Sequence, residues 1–350
     1  MKAWVLHGIN DLQYETVDRP AIFDNEVLVE VKAAGICGSD IPRIYQTGAH
    51  THPLIPGHEF SGIVAECGDK ADSSLMGARV GVFPLIPCRQ CEPCKKHQYE
   101  MCRNYNYLGS RRGGGFAEFV AVPAENVIRL PDSVSYEEAA MLEPMAVAVH
   151  AMRRINPAAS DVVTVCGLGT IGLLLTMFLK ETGVENVLVI GNKEFQKHTV
   201  LERLNLHIRE DDYCDSRSQD IAKWIADRTG GKGTDVFFEC VGRNDIYAYA
   251  VDCTAPAGRI CLVGNPYSDM KLDKSVYWKI LRNQLNITGT WNSSFADSGN
   301  DWAYVLERLA AKRVEPGKLI SHRLSLGDLE KGLFIMRDKT EDYIKVMSIL

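Results

Sequence analysis

The sequence predicts an α/β protein in two parts, an irregular antiparallel β domain followed by a doubly wound parallel sheet. Three observations carry this. Short runs with β-branched residues at alternating positions fill the chain to about residue 147, with Gly and Pro between them. Beyond that point apolar strand-like runs alternate with helical periodicity, the pattern of βαβ units. Third, a Gly-rich turn, Gly167-Leu168-Gly169-Thr170-Ile171-Gly172, lies between one such strand and helix. The length of 350 residues suits about two domains. A chain 46% hydrophobic and 24% charged is neither disordered, collagen-like nor a coiled coil. The net charge of −6 argues against a nucleic-acid partner, which usually meets a basic surface.

Taken in order, residues 2–6, 26–33, 62–65, 78–83 and 117–122 read as strands. Residues 136–153 carry one helical period, with Met141, Leu142, Met145 and Val149 on related faces. Strands follow at 162–167, 186–191, 235–242, 259–264 and 285–290, and helices at 171–181, 193–204 and 218–229. From Asp301 a helix and strands return, and this tail is expected to pack back on the first part. The start, MKAWVLHGIN, lacks the basic and apolar regions of a secretory signal. Residues 162–179 are eighteen uncharged residues, long enough to suggest a membrane span. Three glycines within six positions fit a strand, a tight turn and a helix better. The expectation is a cytoplasmic protein with no membrane partner. Eleven cysteines, an odd number, do not suggest a disulfide framework.

Four of them, Cys88-x2-Cys91-x2-Cys94-x7-Cys102, form the first chemical motif. Four thiolates in so short a span can close a tetrahedral zinc site with no open position, a structural site. An iron–sulfur cluster is the competing reading, but ferredoxin runs close with x3 and Cys-Pro, and here Arg103 follows an x7 gap.

The Gly-rich turn is the second motif. It follows a strand and opens an apolar helix, the context that gives a G-x-G-x-x-G meaning. Gly167, Gly169, Thr170, Ile171 and Gly172 would let the backbone approach a pyrophosphate at a helix N-terminus. A strand–helix turn without a ligand is the plain alternative. An acid that grips the ribose hydroxyls is expected about twenty residues on, and Gly191 stands there, followed by Asn192 and Lys193. A glycine beside a cation admits a 2′-phosphate, so NADP is slightly favoured over NAD, with Lys193 or Lys197 as its partner. Val241, Val263 and Gly264, at the ends of later strands, are further candidate cofactor contacts.

The third constellation is dispersed: Cys37-Gly38-Ser39-Asp40, then Gly57-His58-Glu59, then Glu143-Pro144. Each alone is ordinary, since a lone His is usually structural and Glu-Pro often marks a turn. Their order around the four-cysteine and glycine motifs is far less ordinary. In that order, and across essentially the whole chain, the sequence resembles the zinc-dependent medium-chain alcohol/polyol dehydrogenases. Segments such as CGSDIPRIYQTGAHTHPLIPGHEFSG and GSRRGGGFAEF are similar to members acting on sugar alcohols and their phosphates.

The resemblance implies a GroES-like β-rich catalytic domain over 1–147 and 290–350, a Rossmann domain over 148–289, and a site in the cleft between them. It implies two Zn2+ per chain. One is catalytic, held by Cys37, His58 and Glu143, with Glu59 entering and leaving, and the other is structural, held by the four-cysteine lobe. It implies hydride transfer between NAD(P) and a secondary hydroxyl of a sugar alcohol or its phosphate, or of an unphosphorylated polyol, ketose or other secondary alcohol. Ser39 would pass the proton outward. The partner is a small molecule, and the assembly a homodimer or homotetramer. Two positions depart from the family pattern: Pro42 replaces a relay histidine, and Gly191 the ribose acid.

A phosphorylated substrate needs cations. Arg43, His50, Arg111 and Arg112 are candidates, with Asn292 for a hydroxyl. The amides of Gly113-Gly114-Gly115 could face an anion. Tyr45, Phe83, Leu85 and Trp291 are expected to shape the pocket, and Trp4, Trp224, Trp278 and Trp302 to be packing residues.

Overall fold

The computed structural model describes residues 1–266, 268–296 and 299–350. It divides into two compact units, Met1–Pro144 with Ser294–Leu350, and Met145–Ser293.

The first unit is built on a seven-stranded sheet. Its spine is the long strand Glu26–Ile36, buried over most of its length because Val27, Val29, Val31 and Ile36 all meet apolar neighbours. This strand pairs antiparallel with Glu59–Cys67 on one side and Lys345–Ile349 on the other, and with Phe119–Pro123 at its start. The C-terminal tail therefore completes the N-terminal sheet, Val346 lying opposite Ile36. The core is Val29, Phe60, Phe116, Val120, Leu333 and Val346, with Trp4 donating its indole N–H to Leu326 O at 2.6 Å.

The second unit is a six-stranded, all-parallel sheet. Its spatial order is Tyr213–Asp215, Asn186–Gly191, Val162–Cys166, Thr234–Glu239, Thr254–Leu262, Asn286–Gly289. The first strand in sequence sits in the middle, so the order reverses beside it, and ligands bind at the carboxyl ends there. Residues 162–179 divide into the strand Val162–Cys166 and the helix Thr170–Glu181. No helix among the described residues is long and apolar enough to cross a membrane.

Several boundaries differ from the sequence expectation for local reasons. The period over 136–153 is two helices, Tyr136–Ala140 and Leu142–Ile155, broken at Met141. Ser135 and Glu138 form a reciprocal cap that starts the first. Pro144 has no N–H to return to Ala140, so it suits the first turn of a new helix rather than the middle of an old one. The helix expected at 193–204 is Glu194–His198 followed by a wider π turn, Thr199–Arg203. Thr199 Oγ1 there donates to Phe195 O at 2.8 Å, a back-bond that loosens a helix. Asp220, accepting from Lys223 N, starts the helix Ile221–Thr229 later than expected. Trp278 is no packing residue but 45% exposed.

Candidate active site and nucleotide-binding loop

Cys37 follows directly on the buried strand Glu26–Ile36, and His58 and Glu59 stand at the start of its neighbour Glu59–Cys67. Antiparallel pairing of Gly35 with Glu59 is what brings residues twenty positions apart together. A donor atom from each of Cys37, His58 and Glu59 lies within 4.8 Å of the others. Glu143, in the first turn of Leu142–Ile155, stands outside that group and accepts from the Tyr107 hydroxyl at 3.2 Å. Its carboxyl is pushed up to about 7, first by burial, with His58 opposing and Glu59 adding.

Asp40, fully buried, organises the cluster. Its Oδ2 accepts from Cys37 N at 3.0 Å and its Oδ1 from Arg43 Nη1 at 2.6 Å, while His58 Nδ1 lies 3.5 Å from Oδ1. Burial would raise the Asp40 carboxyl, but His58 and Arg43 outweigh it and hold it below its ordinary value. Burial would lower the His58 imidazole, but Asp40 and Cys37 raise it well above its ordinary range. Ser39 Oγ is 3.4 Å from Cys37 Sγ. Beneath the cluster, Lys345 Nζ donates to Glu59 Oε2 and, at 3.0 Å, to Ile36 O. A Cβ at Gly35 would stand 2.4 Å from Glu59 Oε2 and 2.7 Å from Lys345 Cε, so only glycine leaves room for this pair.

These residues fit a catalytic zinc. His58 Nδ1 is buried with no hydrogen-bond partner, a costly state unless something binds the ring. Thiolate, imidazole and carboxylate are the donors of open, catalytic zinc sites. The four-cysteine lobe fits a closed one. Cys88, Cys91, Cys94 and Cys102 offer sulfurs within 4.8 Å of one another, with Cys88–Cys94 and Cys91–Cys102 separations of 3.9 Å. A tetrahedron of sulfurs about 2.3 Å from zinc has edges of about 3.8 Å. Backbone N–H groups lower the Cys88 thiol to about 6, favouring its thiolate, whereas burial pushes Cys94 up to about 12. All eleven cysteines are free thiols.

The remaining candidates are placed elsewhere. Arg43 is engaged by Asp40, and Arg112 pairs with the buried Glu26 at 2.6 Å. Arg111 lies 4.6 Å over the Tyr105 ring. Arg111 and Arg112 line a separate cavity of about 420 Å3 with Met1, Val17, Ile55 and Phe119, which includes none of the metal donors. His50 is exposed. The amides of Gly114 and Gly115 donate to Ile55 O and Gly57 O, so they brace the segment leading to His58 instead of facing an anion. Phe83 and Leu85 are buried, Phe83 against Phe295 and Trp302, so both are core. Tyr45 packs on Phe334 and Arg337, and Trp291 is 57% exposed. Asn292 belongs to the second unit, at φ 52°. Sequence reasoning missed Tyr107, Asp40 and Lys345 as supports of the site. Only Asp40, inside the CGSD segment, left a signal.

In the second unit the glycine turn has the geometry a dinucleotide requires. Gly167 has φ 99°, and a Cβ at Gly172 would lie 1.9 Å from Gly167 O. Gly169 opens the helix Thr170–Glu181. Val241, Val263 and Gly264 gather at the neighbouring strand ends, where Val241 N donates to Glu239 Oε1 at 2.7 Å, and Val263 N and Gly264 N to Glu239 O at 2.8 and 2.9 Å. Asn192 is exposed, and Lys193 precedes the helix Glu194–His198. Lys197 pairs with Glu210 at 2.8 Å.

A β-rich unit with an open and a closed zinc donor set, together with a parallel-sheet unit carrying a dinucleotide turn, defines a zinc-dependent nucleotide-linked dehydrogenase. Residues 23–132 match the alcohol dehydrogenase GroES-like domain and residues 170–311 the zinc-binding dehydrogenase domain. The chain is 31% identical to galactitol 1-phosphate 5-dehydrogenase of Escherichia coli K12, over 90% of this chain and 89% of that one. It is also 31% identical to L-idonate 5-dehydrogenase of Vitis vinifera, over 99% and 94%. The crystal structure of galactitol-1-phosphate dehydrogenase from Escherichia coli is similar throughout both chains, with a TM-score of 0.92 at 29% identity. The chain belongs to the zinc-dependent medium-chain alcohol/polyol dehydrogenases, oxidoreductases that use NAD(P).

Proposed function

We propose that the chain interconverts a secondary hydroxyl of a sugar-alcohol phosphate and the corresponding ketone, with NADP(H) as hydride carrier. The observation that carries the chemistry is the convergence of Cys37, His58 and Glu59 on one point beside an unpartnered His58 nitrogen. Likeness to a sugar-alcohol-phosphate dehydrogenase over 90% of the chain supports the substrate class.

Cys37, His58 and Glu143, with Glu59 beside them, would hold the zinc, which supplies Lewis acidity toward a secondary hydroxyl. Asp40 orients two of these donors through Cys37 N and the His58 ring, and Tyr107 holds Glu143 by its hydroxyl. Ser39, whose hydroxyl donates to the Cys37 sulfur at 3.4 Å, would take the substrate proton and pass it outward. Pro42 offers no side-chain relay beyond it. Lys345 balances the charge of Glu59 inside the protein. Gly167, Gly169 and the N-terminus of Thr170–Glu181 would hold the cofactor pyrophosphate. The test is a panel of polyols and polyol phosphates with NAD+ and NADP+. A phosphorylated substrate is expected to exceed its unphosphorylated counterpart in kcat/KM by at least about tenfold, as a recognised anion should.

A second reading, an unphosphorylated polyol or other secondary alcohol, is favoured by one observation. Arg43, Arg111 and Arg112 already have protein partners. Equal kcat/KM values for the two substrates would decide for it. Eleven free thiols accord with a reducing, cytoplasmic setting.

We infer a homodimer through the edge strand Asn286–Gly289 of the parallel sheet. Beside it the helix Lys274–Arg282 exposes Tyr277, Trp278 and Leu281 at 54, 45 and 51%. Leu281→Asp with Trp278→Asp is expected to yield monomers in sedimentation velocity. An unchanged dimer would place the interface elsewhere.

A further inference from the structure

The cavity of about 420 Å3 in the first unit falls within the range of small-ligand pockets, roughly 300–1,000 Å3. Val5, Val17, Leu54, Ile55, Phe119 and Val120 give it apolar walls. Its Gly113-Gly114 side is locked in place. Gly114 N donates to Ile55 O at 2.8 Å, and a Cβ at Gly114 would stand 2.1 Å from Gly57 O. The Phe119 ring carries the Arg19 guanidinium 4.1 Å from its centroid, and Glu66 matches that charge at 3.1 Å. Walls held by such contacts do not relax inward to fill the space, so their apolar surface stays available to a ligand.

Two arginines line the same cavity with hydrogen-bonding edges still open. Tyr105 takes only the face of the Arg111 guanidinium, 4.6 Å from the ring centroid. The buried Glu26 takes only Nη1 of Arg112, at 2.6 Å. A guanidinium carries five N–H donors in one plane, so each arginine keeps an edge that matches a carboxylate. Three cations, Arg111, Arg112 and the Met1 amino group at Val17 O, stand here against two anions, Asp18 and Glu26. One net positive charge suits a single carboxylate better than a phosphate dianion. We propose that this cavity is a second ligand site, apart from the zinc donors, for a small apolar monocarboxylate. Its chain lies against Val17, Leu54 and Phe119, and its head meets Arg111 and Arg112.

The test is calorimetric titration of the zinc-loaded protein with octanoate, butyrate and octylammonium. Octanoate is expected to saturate one site per chain. It should bind at least about tenfold more tightly than butyrate, since each added methylene leaves water for an apolar wall. It should also bind at least about tenfold more tightly than octylammonium, which offers the arginines no acceptor. Arg111→Gln, at an exposed position, is expected to weaken octanoate by about 10- to 100-fold, the loss of a charge-assisted contact. Ala121→Leu, which fills the cavity and leaves its charges alone, is expected to weaken it by about tenfold or more. Should that variant fold poorly, Ala21→Trp at the exposed rim repeats the test. No saturable octanoate binding overturns the site. Equal affinities for octanoate and octylammonium, or for octanoate and butyrate, overturn the ligand class. Wild-type octanoate affinity in either the arginine or the cavity-filling variant places the ligand elsewhere and overturns the assignment to this cavity.

Discussion

His58→Ala is expected to keep its fold, lose zinc from the proposed catalytic site while keeping any held by the four-cysteine lobe, and lose on the order of 10³-fold or more in kcat/KM. The magnitude follows from what the metal contributes. Lewis-acid stabilisation of developing negative charge supplies several kcal/mol, and about 4 kcal/mol is roughly 10³ in rate. Fold should survive because His58 takes part in no hydrogen bond of its own to a distant element. Its Nδ1 makes no hydrogen bond, its 3.5 Å ion-pair contact is with the nearby Asp40, and Asp40 and Cys37 remain tied to each other through Cys37 N. Asp40→Asn tests the support beneath the donors and should cost less, on the order of 10- to 100-fold in zinc affinity, as outer partners of metal ligands usually do. Elemental analysis and kinetics on the same preparations decide the matter. A His58→Ala protein with wild-type zinc content and turnover would refute the assignment of this cluster.

Lys345→Met is expected to destabilise the first unit by about 3–5 kcal/mol, the cost of leaving one member of a buried ion pair uncompensated. Lys345 and Glu59 are each only 2% exposed, and Gly35 and Ile36 wrap them. For a unit of this size that loss should lower the melting temperature by roughly 6–20 °C. Glu59→Gln alone should also destabilise, by stranding the ammonium. The double variant should recover much of the loss, because an uncharged pair of similar volume needs no compensation. Melting curves of the metal-free forms give the result without interference from zinc. If Lys345→Met melts as wild type does, water reaches Glu59 and the pair is not a support of the site.

The two compact motifs were legible because their chemistry is local. Cys88 to Cys102 close on one another within a short lobe, and Gly167 to Gly172 are fixed by a single strand, turn and helix. The supports of the site were not legible for the opposite reason. Lys345 meets Glu59 across 286 positions, and nothing near either residue marks the other. Tyr107 looked like one aromatic among many, and Arg112 like a free cation, until the fold set the first on Glu143 and the second on Glu26. Met141 gave no sign of a helix break, since its apolar period continues straight through it.

By itself, then, the amino-acid order determined which donors exist, how far apart they lie along the chain, and that one turn opens a helix after a strand. These are matters of residue type and short-range backbone preference. Tertiary structure alone decided which charges are matched, which arginines are engaged, and that Lys345 lies beneath Glu59. Strand pairing and burial set those contacts, and both depend on where distant segments of the sheet are laid side by side.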